Sequence, residues 1–159
     1  GVVGLGNIGS KVAHIAKAFG MEVVYYSTSG NPHSDEFEAV PLEKLMSECD
    51  VISVHCPLNE RTNNLIGYEQ LKLMKPSAYI INLGRGGIIN EAELVQALND
   101  NLMAGAGVDV FSKEPLPLDS PYFKVVDPSK ILLTPHIGWA SQEARKCLVE
   151  KIAENIKNN

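Results

Sequence analysis

Three glycines near the start of the chain, Gly4, Gly6 and Gly9, stand in a GxGxxG pattern between Val2-Val3 and a run with helical apolar spacing. A strand, a tight turn and a helix would use all three. The first glycine permits the sharp turn, the second lets backbone approach a pyrophosphate, and the third lets helix and strand pack closely. The helix start then offers Asn7, Ile8 and Gly9 N–H groups and a positive dipole end to the phosphates. Outside that setting the pattern is weak, and a glycine turn that merely packs is the competing account.

The setting is present. Ile8, Val12, Ile15, Ala16 and Phe19 recur at helical spacing, and Gly20 stops the run. Strands are expected at 2–3, 21–26, 51–55, 78–83, 104–110 and 131–134, with helices at 8–19, 42–49, 68–74, 91–99 and 140–157. The strands are near-continuous apolar runs, as when both faces of a sheet are covered. Their alternation with helices implies βαβ units, hence a Rossmann-type α/β fold: a doubly wound parallel sheet of six strands in three α/β/α layers. The apolar stripe of the last helix, Ala140, Ala144, Cys147, Leu148, Ile152 and Ile156, reads as core. Tyr25 and Tyr26 read as strand packing. The Pro-rich stretch 114–128 is the one long loop, and such loops are often functional.

Size and charge narrow the function classes. A chain of 159 residues fits one domain, and 1–159 reads as a single dinucleotide-binding domain. Fourteen Lys and Arg against nineteen Asp and Glu, with no basic run, argue against a nucleic-acid partner. No apolar run approaches the roughly 20 residues that span a bilayer, so no membrane partner is expected. Cys49, Cys56 and Cys147 are odd in number and scattered, which fits a reducing cytoplasm and neither disulfides nor a metal site.

In open α/β sheets ligands bind beyond the carboxyl ends of the strands. At the end of the second strand, Ser27 stands where an Asp or Glu usually holds the ribose 2′-OH of NAD. A hydroxyl can bond the ribose without repelling a 2′-phosphate, yet no Arg or Lys lies between Ser27 and Glu43 and only His33 could add charge there. NAD is expected, with NADP tolerated. The later strands end in His55-Cys56-Pro57, in Leu83-Gly84-Arg85, in Asp109 with Glu114 beyond, and in His136-Ile137-Gly138. These types suit hydride transfer to a 2-oxo acid. Arg85 can fork onto a carboxylate, His136 can protonate the carbonyl oxygen, Glu114 can orient the imidazole, and Asp109 can anchor a carboxamide. Singly, each has a structural account. Together on one rim beside a phosphate turn, they point to a site. His14 reads as helix surface and His33 as loop, neither catalytic, while His55 fits either a pocket wall or the core.

The same segments, Gly4 to Gly9, Asn82-Leu83-Gly84-Arg85-Gly86-Gly87, Gly107-Val108-Asp109-Val110-Phe111 with Glu114-Pro115, and Thr134-Pro135-His136-Ile137-Gly138, resemble the D-isomer-specific 2-hydroxyacid dehydrogenases. The resemblance is ordered and covers nearly the whole chain. It implies Arg85, Glu114 and His136 as the catalytic set and Asp109 as the nicotinamide-amide ligand. It also implies that His55, Cys56, Pro57, Leu58 and Thr62 run along the cofactor. His136-Ile137-Gly138-Trp139-Ala140 followed by Glu143-Ala144-Arg145 is most similar to the glycerate dehydrogenases, or hydroxypyruvate reductases.

In that family the cofactor domain lies between two segments that build a substrate domain. By this resemblance the chain is expected to carry neither, and its first strand reads as starting part-way along. The expectation is a piece that binds cofactor and turns over a small 2-oxo or 2-hydroxy acid poorly by itself, within a homodimeric enzyme. The alternative class is an NAD(H)-sensing, non-enzymatic module, as in the corepressors of the same fold.

Overall fold

The computed structural model describes residues 1–32 and 34–158; His33, read above as a loop residue, lies outside them. The chain runs β1 (Val2–Val3), α1 (Asn7–Ala18), β2 (Val24–Tyr26), β3 (Glu38–Ala39), α2 (Leu42–Glu48), β4 (Val51–Val54) and α3 (Tyr68–Leu71). It continues through β5 (Tyr79–Asn82), α4 (Glu91–Asn99), β6 (Gly105–Val108), β7 (Ile131–Leu133) and α5 (Gln142–Lys157). Among the described residues the strands form one sheet in the order β3-β2-β1-β4-β5-β6-β7, every pairing parallel. This is the doubly wound Rossmann-type sheet, with one strand more than expected. The extra strand, β3, is two residues of an edge with an exposed Glu38, too short and too polar to show as an apolar run.

Alternation along the strands decides the two faces. Val3, Ile52, Val54, Ile80, Ala106 and Val108 join residues of α2 and α4, together with Leu71 of α3, in the large buried cluster. Val2, Leu5, Tyr25 and Phe37 pack with Ala13 of α1 in a smaller one on the opposite face. Buried Tyr25 is strand packing, as expected, and His14 sits on the helix surface beside Glu36.

The last helix departs from expectation. No residue of α5 is buried, and Leu148, Ile152 and Ile156 of its apolar stripe are exposed, so the stripe is not core. A 3.6-residue period makes one helix face apolar whatever covers it, and nothing within these residues covers this one. The loop 114–128 is tied down by two short 3-10 turns, Pro121–Lys124 and Pro128–Lys130, and by the buried Ser120 and Tyr122. No helix among the described residues is long and apolar enough to cross a membrane.

Candidate active site

Because every strand is parallel, the loops that follow β1, β2, β4, β5, β6 and β7 leave from one rim of the sheet. The glycine turn sits at its centre. Gly4 has φ +92°, and a Cβ there would stand 2.9 Å from the Cys56 backbone nitrogen, so the β1 and β4 loops touch only because Gly4 lacks a side chain. A Cβ on Gly9 would stand 2.1 Å from the Gly4 carbonyl oxygen, which is the close packing assigned to the third glycine. A Cβ on Gly6 would meet nothing within 4 Å. Gly6, Asn7 and Ile8 are exposed at a helix start that no side chain caps. Its first N–H groups are therefore available to an anion. An open approach over Gly6 and an uncapped helix start fit a dinucleotide pyrophosphate.

The β4 and β5 loops extend this surface. Cys56 is buried, and burial pushes its thiol up to about 11, so it is wall and not nucleophile. His55 is half-buried, its Nε2 lies 2.7 Å from the Ser53 hydroxyl, and burial pushes its pKa down. Thr62 is fully buried, and its hydroxyl donates to the Pro57 carbonyl at 2.6 Å while accepting the Asn59 N–H at 2.8 Å. It shapes the loop that presents exposed Pro57. Leu83 is exposed and Gly84 buried against the Cys56 carbonyl. Buried Asn82, named above only within a motif and given no role, ties the next turn by accepting from the Gly84 N–H and donating to the Arg85 carbonyl. Arg85 itself is exposed, with one guanidinium N–H on the Gly84 carbonyl at 2.8 Å.

Two carboxylates organise the remaining loops. Glu114 takes the Nδ1–H of His136 on Oε2 at 2.7 Å and the Phe111 N–H on Oε1 at 3.0 Å. The His136 hydrogen bond, the Phe111 N–H and the nearby His136 and Arg85 charges hold its carboxyl below the ordinary range. Arg85, Glu114 and His136 thus come together from three loops. A Cβ on Gly86 would stand 1.9 Å from the Phe111 carbonyl carbon, so the Arg85 turn and the Glu114 loop are packed backbone to backbone.

Asp109, almost fully buried, accepts the Thr134 hydroxyl and the Ile137 N–H on Oδ1 at 2.5 and 2.9 Å, and the Gly138 N–H on Oδ2 at 2.8 Å. Burial acts to raise its pKa, but the three donors and the His136 charge outweigh burial and lower it. His136 has φ +54°, a left-handed conformation uncommon outside glycine, and the Asp109 bonds hold the turn that imposes it. Gly138 lies against Asp109 Oδ2 and Leu83. Ser27, at the end of β2, completes the rim. Sequence reading missed one further neighbour there: Arg61, from the loop after β4, donates to the Ser29 carbonyl at 3.3 Å. Among the described residues no group of His, Cys, Asp and Glu could hold a metal.

Residues 1–138 match the D-isomer specific 2-hydroxyacid dehydrogenase, NAD binding domain. The chain belongs to that family. A glyoxylate reductase of Korarchaeum cryptofilum is 43% identical over 159 residues, covering 98% of this chain and 47% of that protein. A glycerate dehydrogenase of Methylorubrum extorquens is 40% identical over 157 residues, covering 99% and 48%. An acyclic imino acid reductase solved with NADPH and D-Arg superposes with a TM-score of 0.87 at 35% identity, covering 98% of this chain and 48% of that one. The chain spans about half the length of the curated relatives it matches. As the NAD-binding domain of this dehydrogenase family, it carries the Gly4–Gly9 turn between β1 and α1, the element with which the sequence reading began.

Proposed function

We propose that this domain is the cofactor-binding and acid–base half of an NAD(P)-dependent oxidoreductase that converts a small 2-oxo acid into the D-2-hydroxy acid. One observation carries the reading: the 2.7 Å Glu114–His136 pair stands beside an exposed Arg85 on the rim that holds the glycine turn. The balanced reaction is 2-oxo acid, NAD(P)H and a proton giving 2-hydroxy acid and NAD(P)⁺. Bound nicotinamide supplies the hydride. The chain's own residues do the rest. Arg85 forks onto the substrate carboxylate and polarises the adjacent carbonyl. Glu114 holds Nδ1–H, which leaves Nε2 of His136 to donate its proton to the carbonyl oxygen as charge develops there. Asp109 has used three of about four lone-pair positions on the turn, so one is left for the nicotinamide carboxamide.

Glyoxylate or hydroxypyruvate is the substrate class, supported by relatives named glyoxylate reductase and glycerate dehydrogenase. The non-enzymatic module finds no support, since the relatives named above are reductases and dehydrogenases. A substrate domain formed by the remaining half of the relatives' length, a homodimer and a cytoplasmic location belong to the same proposal. The exposed apolar stripe of α5 and the three free cysteines support it. The test is initial rates of glyoxylate and hydroxypyruvate reduction by the full-length enzyme and its His136→Ala variant. A general acid is worth about 10²–10⁴-fold, so the variant is expected to lose about a hundredfold or more in kcat. Activity within about tenfold of wild type would refute the acid role.

A further inference from the structure

The place that reads the adenosine ribose in this fold is the end of β2. A carboxylate there accepts from a 2′-OH, whereas an arginine nearby accommodates a 2′-phosphate. This chain has no carboxylate at that place: β2 ends at Tyr26 and runs on through Ser27, Thr28 and Ser29. The segment folds into a compact turn. The Gly30 N–H donates to the Ser27 carbonyl at 3.2 Å, the Ser27 hydroxyl donates to the Asn31 carbonyl at 2.7 Å, and the Ser27 and Ser29 hydroxyls lie 3.0 Å apart. The Ser29 hydroxyl also donates to the Asn31 carbonyl, at 3.3 Å, so the two hydroxyls lie side by side on a surface loop with their protons on its own backbone, and each must rotate outward to donate to a ligand.

The cation comes from another loop. β2 and β4 flank β1 on its two sides, so the loops after them open on either side of the glycine turn. Arg61 follows β4, and its guanidinium reaches the β2 turn, where Nη1–H donates to the Ser29 carbonyl at 3.3 Å. That is one long bond from a side chain with five donors. The residue is exposed, and among the described residues no carboxylate lies within ion-pair distance of it. Glu36, on the segment between β2 and β3, is engaged by His14 and Lys17. A guanidinium with free donors, set beside two hydroxyls where the ribose is read, matches a phosphate dianion in charge and geometry.

We propose that Arg61, with the hydroxyls of Ser27 and Ser29, forms a subsite for the 2′-phosphate of the adenosine half, so that this protein binds NADP(H) more tightly than NAD(H). The inference rests on the assignment of Gly4–Gly9 as the pyrophosphate turn and adds a preference where the sequence, with no Arg or Lys between Ser27 and Glu43, points to NAD with NADP tolerated. The competing account makes Arg61 a tether between two loops.

Titration calorimetry of the purified protein with 2′,5′-ADP, 5′-AMP, NADP⁺ and NAD⁺ separates the two. The phosphorylated ligand of each pair is expected to bind about tenfold tighter or better, as charge-assisted hydrogen bonds allow, with the advantage shrinking as salt is raised. Arg61→Ala should remove about tenfold of the affinity for 2′,5′-ADP and NADP⁺ while 5′-AMP and NAD⁺ stay within about threefold. Ser27→Asp should reverse the preference, because its carboxylate repels the 2′-phosphate and accepts from the 2′-OH. Unchanged affinities in Arg61→Ala, or equal losses for both members of each pair, overturn the subsite and leave the tether. If wild type binds none of the four ligands, the cofactor turn itself is refuted and the subsite falls with it.

Discussion

Replacing Asp109 with Asn changes one charge and almost no volume, so its effect isolates the carboxylate's grip on the His136 turn. Asn has one acceptor oxygen. Placed at Oδ1, that oxygen keeps the Thr134 hydroxyl and the Ile137 N–H, but its amide then faces the Gly138 N–H at 2.8 Å, donor against donor. The flipped amide keeps Gly138 and faces Ile137 instead, while the Thr134 hydroxyl can turn to accept. Either way one charge-assisted bond is lost and the survivors become neutral. A bond to a charged group contributes about 1.5–3 kcal/mol, and water can reach the exposed Ile137 and Gly138, so about 2 kcal/mol of destabilisation is expected. For a domain of this size that is a fall of about 4–8 °C in Tm by scanning calorimetry. A second readout follows from the pKa. The folded-state value lies below the ordinary 3.8, so the stabilisation is complete above the unfolded value and fades as pH falls through the folded one. The wild-type advantage over Asp109→Asn should therefore narrow on acidification below about pH 4. A variant with unchanged Tm, or a gap that does not close in acid, would show that Asp109 does not hold this turn.

Two other predictions concern packing and exposure. Gly86→Ala would set a methyl 1.9 Å from the Phe111 carbonyl carbon. Backbone must move, so a loss of about 3 kcal/mol or failure to fold is expected by urea denaturation; a wild-type midpoint would refute the close approach. Iodoacetamide at pH 7.5 followed by peptide mass mapping should label exposed Cys147 well before Cys56, which is buried and whose thiol is raised to about 11. Equal labelling of the two in the native protein would contradict the placement of Cys56 behind Gly4.

Much of this architecture was readable from one chain because local chemistry over-determines it. Gly4, Gly6 and Gly9 each met the requirement assigned from spacing alone: a positive φ, an open approach and a close contact. Arg85, Glu114 and His136 were readable as rim residues because each stands in the loop that follows an apolar strand run, and parallel strands share a rim. β3 escaped because two residues on an edge carry no alternation. Thr62 was placed along the cofactor, yet its hydroxyl closes its own loop; a Thr side chain bonds backbone as readily as a ligand. The α5 stripe was read as core, although periodicity reports which face is apolar and never what lies against it.

The sequence by itself determined the alternation of strands and helices, the glycine turn and the order of the rim residues, because each follows from spacing within a few residues. Only the tertiary structure decided that Asp109 grips the His136 turn from 28 residues away, and that Arg61 reaches Ser29 from 32. Those contacts depend on which strands become neighbours and where their loops cross. That is settled by burial of both sheet faces across the whole chain, a sum over distant side chains that no local window contains.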